Sequence, residues 1–258
     1  MVAGGGSTLR TMLAVGHHVE VSEPRHQPST TDNLALTDRS TLRRKKERGN
    51  HDRSVVNAIL DEALLCHVGF FADGSSFVIP MAYARIGETL YLHGATGNRM
   101  LRHLAAGAQV CVTVTLVDAL VLARSAFHHS MNFRSVMLFG TSSPVVDDDE
   151  KREATVALLE HIAPGRSAHT RAPTAAELRA VLMVRIPITE GSAKIRTGGP
   201  IDEPDDMGES IWAGQIPLAT IAGAAIADGR LPPGVWEPPY VRAYPARGGG
   251  ESADRIGH

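Results

Sequence analysis

Residues 123–140 read ARSAFHHSMNFRSVMLFG and lie between strongly apolar, strand-like runs. VTVTL (112–116) and ALVLA (119–123) precede the polar part of this stretch, and VMLFG (136–140) closes it. The polar part holds two arginines, three serines, an asparagine and the adjacent pair His128 and His129. Because buried polar groups cost free energy unless they are satisfied, we expect a partner here: another segment of the chain, a second subunit or a ligand. Our prediction is that a second subunit and a ligand meet at this stretch.

Short strand-like segments continue on both sides. Residues 66–71 and 77–84 are joined through Asp73 and Gly74, a pair typical of hairpin turns. Residues 109–116 alternate with the period of two that is expected of a strand. Since the connections are too short for parallel crossovers, the sequence predicts a mainly β protein with flanking helices (α+β). Six or more antiparallel strands are expected to form a closed or nearly closed barrel.

Three helices are predicted from signals at their N-termini. Asp52 precedes an apolar helical repeat over residues 55–64. The acidic residues 147–150 begin a helix that runs to about Ile162, because negative charge suits the positive end of the helix dipole. Thr174 and Glu177 have the spacing of a capping box.

Composition limits the classes of function. The chain has 258 residues, 43% of them hydrophobic and 21% charged, with a formal net charge of -2. This balance argues against a general nucleic-acid-binding protein, and no apolar run approaches the roughly 20 residues of a membrane helix. We predict a disordered extension over residues 1–41, one folded domain over residues 42–218 and an irregular tail over residues 219–258. The basic run 43–48 is interpreted as a solvated lead-in, with a phosphate contact as the alternative.

Both cysteines, Cys66 and Cys111, lie in apolar strand-like runs without metal-ligand spacing. A reduced, cytoplasmic protein is therefore the expectation. The first residues lack the apolar core and the cleavage site of a signal peptide, so none is predicted.

Residues 92–99, LHGATGNR, pass from a strand through two glycines into a short helix. A helix start offers unpaired N–H groups to an anion, and Thr96 and Asn98 add hydrogen-bonding groups. Arg99 adds a charged fork that suits phosphate. The segment is neither a P-loop nor a dinucleotide fingerprint, so a phosphate site and an ordinary capped helix both remain open.

Pro80 interrupts the strand-like run FVIPM (77–81). Proline cannot donate a ladder hydrogen bond, so this run is predicted to be an edge strand or to carry a bulge. The edge either faces solvent or presents backbone groups to a flat ligand.

The adjacent His128 and His129 do not predict a metal site, because neighbouring strand residues point to opposite faces and no further ligand lies nearby. Structural or hydrogen-bonding roles are favoured for both. Ser125 and Ser130 lack the G-x-S-x-G turn of a serine hydrolase, so that class is disfavoured.

Several motifs in the same order resemble the pyridoxamine 5′-phosphate oxidase-related proteins of the FMN-binding split-barrel superfamily. The closest likeness is to the flavin-nucleotide-binding branch that is related to nitroimidazole-resistance proteins. The motifs are residues 47–70, 77–100 and 110–140, followed by SAKIRTG (192–198) and IWAGQIPL (211–218). The resemblance covers residues 46–217 and implies a six-stranded antiparallel split barrel. It also implies a homodimer with two flavin sites at the subunit interface.

The resemblance assigns roles to particular positions. The family strand beside the flavin ring corresponds to residues 77–81, where contacts would come chiefly from the backbone. The phosphate-holding motif corresponds to residues 97–99, where only Arg99 keeps a cation. A later cofactor-contacting pair corresponds to residues 134–135, and a tryptophan reaches over from the partner. The candidate cofactor-binding residues are Val78, Ile79, Pro80, Met81, His93, Gly94, Thr96, Asn98, Arg99, Arg134, Ser135 and Trp212.

The function implied by the resemblance is FMN binding with flavin-dependent oxidoreductase activity on an unknown small molecule. Vitamin B6 oxidation is not the first choice, because the arginine and histidine pattern with which true oxidases hold pyridoxal phosphate is missing. One alternative is a haem-binding or haem-degrading protein with His93, His128 or His129 as an axial ligand. A second alternative is a non-catalytic sensor that holds a flavin or a deazaflavin.

Overall fold

The computed structural model describes residues 32–245 and Arg247. It confirms the mainly β, antiparallel fold with flanking helices. The described strands form two sheets, one of seven strands and one of four. The barrel is therefore split and not closed.

The strands are β1 (Gly49–Asn50), β2 (Leu65–Ala72), β3 (Ser75–Ala82), β4 (Ala84–Ile86), β5 (Thr89–Ala95), β6 (Gln109–Leu122), β7 (Ser130–Thr141), β8 (Ser143–Pro144), β9 (Val181–Pro187), β10 (Glu190–Arg196) and β11 (Gly214–Pro217). The α-helices are α1 (Arg53–Glu62), α2 (Arg99–Ala105), α3 (Asp148–Ile162), α4 (Ala175–Ala180) and α5 (Pro239–Arg242). Short 3-10 helices span Lys46–Arg48, Ser167–His169 and Pro204–Gly208.

The larger sheet has the order β1-β10-β7-β6-β2-β3, with β11 paired to the last part of β6. The smaller sheet has the order β4-β5-β9-β8. Both sheets contribute to one main core: Val112 and Leu138 come from the larger sheet, and Leu92 and Ile186 come from the smaller. The larger sheet thus turns one face to this core and leaves the other outside, and we call the second one the outer face.

The local signals in the sequence act as predicted. Asp73 and Gly74 both have positive φ, 50° and 74°, which is the backbone of a tight hairpin turn between β2 and β3. Asp52 caps α1 by accepting a hydrogen bond from the backbone N–H of Ser54 at 2.8 Å. Thr174 and Glu177 form the expected capping box at α4.

Two features of β6 are not apparent in the sequence. The strand continues past the polar residue Asp118 with a register shift between Val117 and Ala119. A β-bulge accommodates the extra residue, and Arg134 on the neighbouring strand holds its carboxylate. Residues 214–217 were not predicted as a strand; they form β11 because β6 extends far enough to pair with them.

Residues before residue 42 contact the folded domain. Leu34 is buried in the main core, and Ala35 forms a β-bridge with Glu190. Residues 1–31 of the predicted extension lie outside the described residues. In the predicted tail, the side chains of residues 221–238 are exposed, apart from a half-buried Pro238. Further along the tail, the guanidinium of Arg247 donates to the carbonyl oxygens of Glu62 and His161 at 2.8 and 2.9 Å.

An ion pair between Arg39 and Glu190 joins the segment before β1 to β10. This ion pair makes the stability of the protein depend on pH. Arg39 donates to both oxygens of Glu190 at 2.7 and 2.6 Å, and these hydrogen bonds help to lower the pKa of Glu190 to about 2. Because the folded pKa lies below the ordinary value of 4.5, this stabilisation is complete above that pH and is lost as the pH falls towards 2. We expect Glu190→Gln to be destabilised at neutral pH, with the difference from the wild type shrinking at about pH 3. Urea unfolding at both pH values measures this, with exposed Glu209→Gln as the control; a difference that stays constant would contradict it.

Candidate functional site

A cleft of ≈ 340 Å³ opens between the β2–β3 hairpin and the start of α2. The rings of Phe70 and Phe77 stack in its wall with centroids 5.3 Å apart. The guanidinium of Arg99 lies over the Phe77 ring, 5.1 Å from its centroid. The cleft therefore combines an aromatic wall with a cation at its rim. The lining side chains are Phe70, Phe77, Ile79, Asn98, Arg99 and Met100.

Arg99 is available to a ligand. Its side chain is 67% exposed, and its ion pair is with the still more exposed Asp73 at 3.5 Å. Exposed pairs of this kind contribute little, so an anionic ligand can replace the contact at small cost. Asn98 is less free, because its side-chain oxygen accepts the backbone N–H of Leu101 at 3.0 Å and caps α2.

The position of β3 explains why only part of the segment 78–81 reaches the cleft. It is the edge strand of the larger sheet, as Pro80 predicted. Its side chains alternate: Ile79 and Met81 pack towards the main core, whereas Val78 and Pro80 point outwards and are exposed. A ligand in the cleft meets Ile79, and a ligand or subunit on the outer face meets Val78 and Pro80.

The residues between β5 and α2 have mainly structural surroundings. A Cβ at Gly94 would lie 2.8 Å from a methyl carbon of Leu101, so glycine is needed for the close approach of α2 to β5. The backbone N–H of Thr96 donates to Ala180 at 3.2 Å, and its side chain is exposed. His93 does not line the cleft. Its buried Nδ1 finds no hydrogen-bond partner among the described residues, and burial lowers the pKa of the ring, which keeps it neutral.

Arg134 and Ser135 lie on opposite faces of β7. Arg134 donates to Asp118 at 2.8 and 3.0 Å and to both carboxylate oxygens of Glu62, and these two partners raise the pKa of its guanidinium. It therefore joins the end of α1 to the bulge of β6. Ser135 is on the outer face, where its hydroxyl donates to the carbonyl of Lys194 at 3.3 Å.

Trp212 lies beside β11, away from the residues that line the cleft. Its side chain is exposed, and its indole ring covers Gly214 so closely that a Cβ there would lie 2.8 Å from it. The predicted role of Trp212 in a partner subunit's site stays a prediction.

The structure brings Ile79, Asn98 and Arg99 together and leaves the other candidates outside the cleft. Sequence reasoning missed Phe70 and Met100 as lining residues and included Phe77 only within the segment 77–81. The period of two gave a signal for Phe77, because it shares a face with Ile79, and the hairpin register then places Phe70 opposite Phe77.

These features define an antiparallel split-barrel protein with a cleft beside an edge strand. A sequence profile of the pyridoxamine 5′-phosphate oxidase family matches residues 52–195, more than half of the chain. The protein belongs to this family.

Two solved structures resemble most of the chain. The flavocytochrome Anf3 from Azotobacter vinelandii is 35% identical with a TM-score of 0.75, over 80% of this chain and 96% of that one. An FAD- and haem-binding protein from Mycobacterium smegmatis is 37% identical with a TM-score of 0.73, over 76% of this chain and 96% of that one. The search of curated proteins gave no match. Among the described residues, no helix has the length and apolar character needed to span a membrane.

Proposed function

We propose that this protein binds a flavin nucleotide, FMN in the first instance, at the interface of a homodimer and acts as an oxidoreductase on a small molecule. The observation that carries the proposal is the cleft in which Arg99 lies over Phe77, since it joins a phosphate-binding group to an aromatic wall. The flavin would supply hydride transfer, and the protein would bind and orient it.

The donor set of the cleft suits a flavin nucleotide. Arg99 would pair with the phosphate through two parallel N–H groups. Phe70, Phe77 and Ile79 offer an apolar wall to the ring system. The described volume is at the small end of the range for ligand pockets, about 300–1,000 Å³, so a flavin would extend beyond it. The two similar proteins named above, a flavocytochrome and an FAD- and haem-binding protein, support flavin as the ligand class.

A homodimer is proposed because the outer face carries large apolar side chains that nothing in the described chain covers. Phe71 is 64% exposed and Val78 is 68% exposed, and Leu65 and Met137 are also exposed on this face. Contiguous exposed apolar residues mark interaction surfaces. A second copy would cover them and would enclose whatever lies against Val78 and Pro80.

Anaerobic addition of NADH or NADPH to the purified, flavin-loaded protein tests the activity. Bleaching of the flavin absorption near about 450 nm supports an oxidoreductase. If neither donor bleaches the flavin, the proposed oxidoreductase activity is contradicted, and the non-catalytic flavin-binding sensor remains as the alternative. The mass of the particle in solution tests the dimer in the same sample, and a monomer would contradict it.

Haem is the second candidate, because one of the two similar proteins is a flavocytochrome and the other is an FAD- and haem-binding protein. His128 and His129 lie in the turn between β6 and β7, where Phe127 is almost fully exposed. If one histidine is an axial ligand, replacing His93, His128 or His129 by glutamine in turn should abolish a Soret band in exactly one variant. Haem uptake that survives all three replacements would exclude these ligands.

A further inference from the structure

Arg196, at the end of β10, is a buried arginine without a carboxylate partner among the described residues. Its side chain is on the outer face, because Ala193 and Ile195 point into the main core. It is only 5% exposed. Its guanidinium donates to neutral oxygens alone: the side chain of Asn132 and the carbonyls of Gly198 and Gly199, at 3.2 and 3.1 Å for the two carbonyls.

The half-buried Arg53 and Arg134 differ from Arg196. Each of them holds two carboxylates, and these partners raise the pKa of its guanidinium. For Arg196 the pKa is lowered instead, first by burial and then by the positive charge of Arg48. A buried charge without a counter-charge is unfavourable, so this arrangement favours a bound anion.

Two more cations lie beside Arg196. Lys194 precedes it by two residues on the same face, and β1 pairs with β10 so that Gly49 stands opposite Lys194. Arg48, next to Gly49, is thereby brought close to Arg196. No ion pair joins Arg48, Lys194 or Arg196 to a carboxylate in the part of the chain that the structure describes.

There is also room for a ligand beside Arg196. A Cβ added to Gly198 or Gly199 would meet no atom within 4 Å, so the loop that holds Arg196 borders open space.

We propose that Arg48, Lys194 and Arg196 form a binding site for an anionic group, a phosphate or a carboxylate, that belongs to a small molecule. The site is separate from the cleft at Arg99, whose lining shares no residue with it. The assignment of this molecule as a substrate rests on the proposed function. The binding of an anion at this site does not rest on it.

Calorimetric titration of the purified protein with inorganic phosphate, and separately with acetate, tests the site. Lys194→Gln and Arg48→Gln are the test variants, because both side chains are partly exposed and the fold should persist. We expect either replacement to weaken anion binding roughly 10- to 100-fold, as for the loss of a charge-assisted hydrogen bond. Arg44→Gln, in the same basic run, is the control and should bind as the wild type does. The proposal would be overturned if neither phosphate nor acetate bound at concentrations up to about 10 mM. It would also be overturned if the wild type and the three variants bound these anions equally.

Flavin titrations of the same variants identify the source of the anionic group. Weakened FMN or FAD affinity together with weakened phosphate binding would assign the site to the flavin nucleotide. Unchanged flavin affinity with lost phosphate binding would assign it to a second molecule, the substrate. If the protein takes up no flavin but still needs Lys194 for phosphate, the proposed function fails and the anion site stands.

Discussion

Replacing Arg134 with methionine is expected to lower the free energy of unfolding by about 2–4 kcal/mol. The change leaves Asp118 and Glu62 without the cation that joins them, and Asp118 is only 8% exposed. Breaking a fully buried pair costs about 3–5 kcal/mol, and the estimate is lower here because 19% of the Arg134 side chain is exposed to solvent. Urea unfolding at neutral pH measures the effect.

Arg185→Met is the matched control for this prediction. Arg185 also pairs with a carboxylate, Glu150 at 2.9 Å, but its side chain is 46% exposed. An exposed pair contributes less than about 1 kcal/mol, so the control should change stability little. If Arg134→Met lost no more stability than Arg185→Met, the contacts by which Arg134 joins α1 to the bulge of β6 would not stabilise the fold. A loss of flavin affinity with unchanged stability would instead restore the role that the family resemblance implied.

Arg99→Ala is expected to weaken FMN binding roughly 10- to 150-fold while the fold persists. Arg99 is exposed at the rim of the cleft, so its removal costs little stability. A charge-assisted hydrogen bond to phosphate contributes about 1.5–3 kcal/mol, which corresponds to this loss of affinity. Fluorescence titration with FMN measures the change.

Riboflavin and a second variant make this prediction specific to the phosphate. Riboflavin lacks the phosphate, so its affinity should be nearly the same for the wild type and for Arg99→Ala. Arg102→Ala removes a cation one turn further along α2, outside the lining of the cleft, and should bind FMN normally. Equal FMN affinity of the wild type and Arg99→Ala would place the phosphate elsewhere.

The sequence predicts those parts of the fold that depend on neighbouring residues. Asp73 and Gly74 determine the hairpin, Asp52 and Thr174 determine helix starts, and Pro80 marks the edge strand. Each of these signals acts within a few residues, so no knowledge of the rest of the chain is needed. The order of the motifs then identifies the family, which the sequence profile confirms.

The sequence does not show which distant residues meet. Arg134 was assigned to the cofactor because its neighbours match a family motif, yet its charge is taken up by Glu62, 72 residues away. Phe70 belongs to the cleft through the register of the β2–β3 hairpin, and Arg196 meets Arg48 through the pairing of β1 with β10. Such facts depend on tertiary contacts that no local pattern encodes.

Equilibrium titration of the purified, cofactor-stripped protein with FMN and with FAD, followed by flavin fluorescence, tests flavin binding most directly. We expect saturable binding of a flavin nucleotide at one site per chain, weakened by Arg99→Ala and unaffected by Arg102→Ala. No saturable binding of either flavin would contradict the proposed flavin binding.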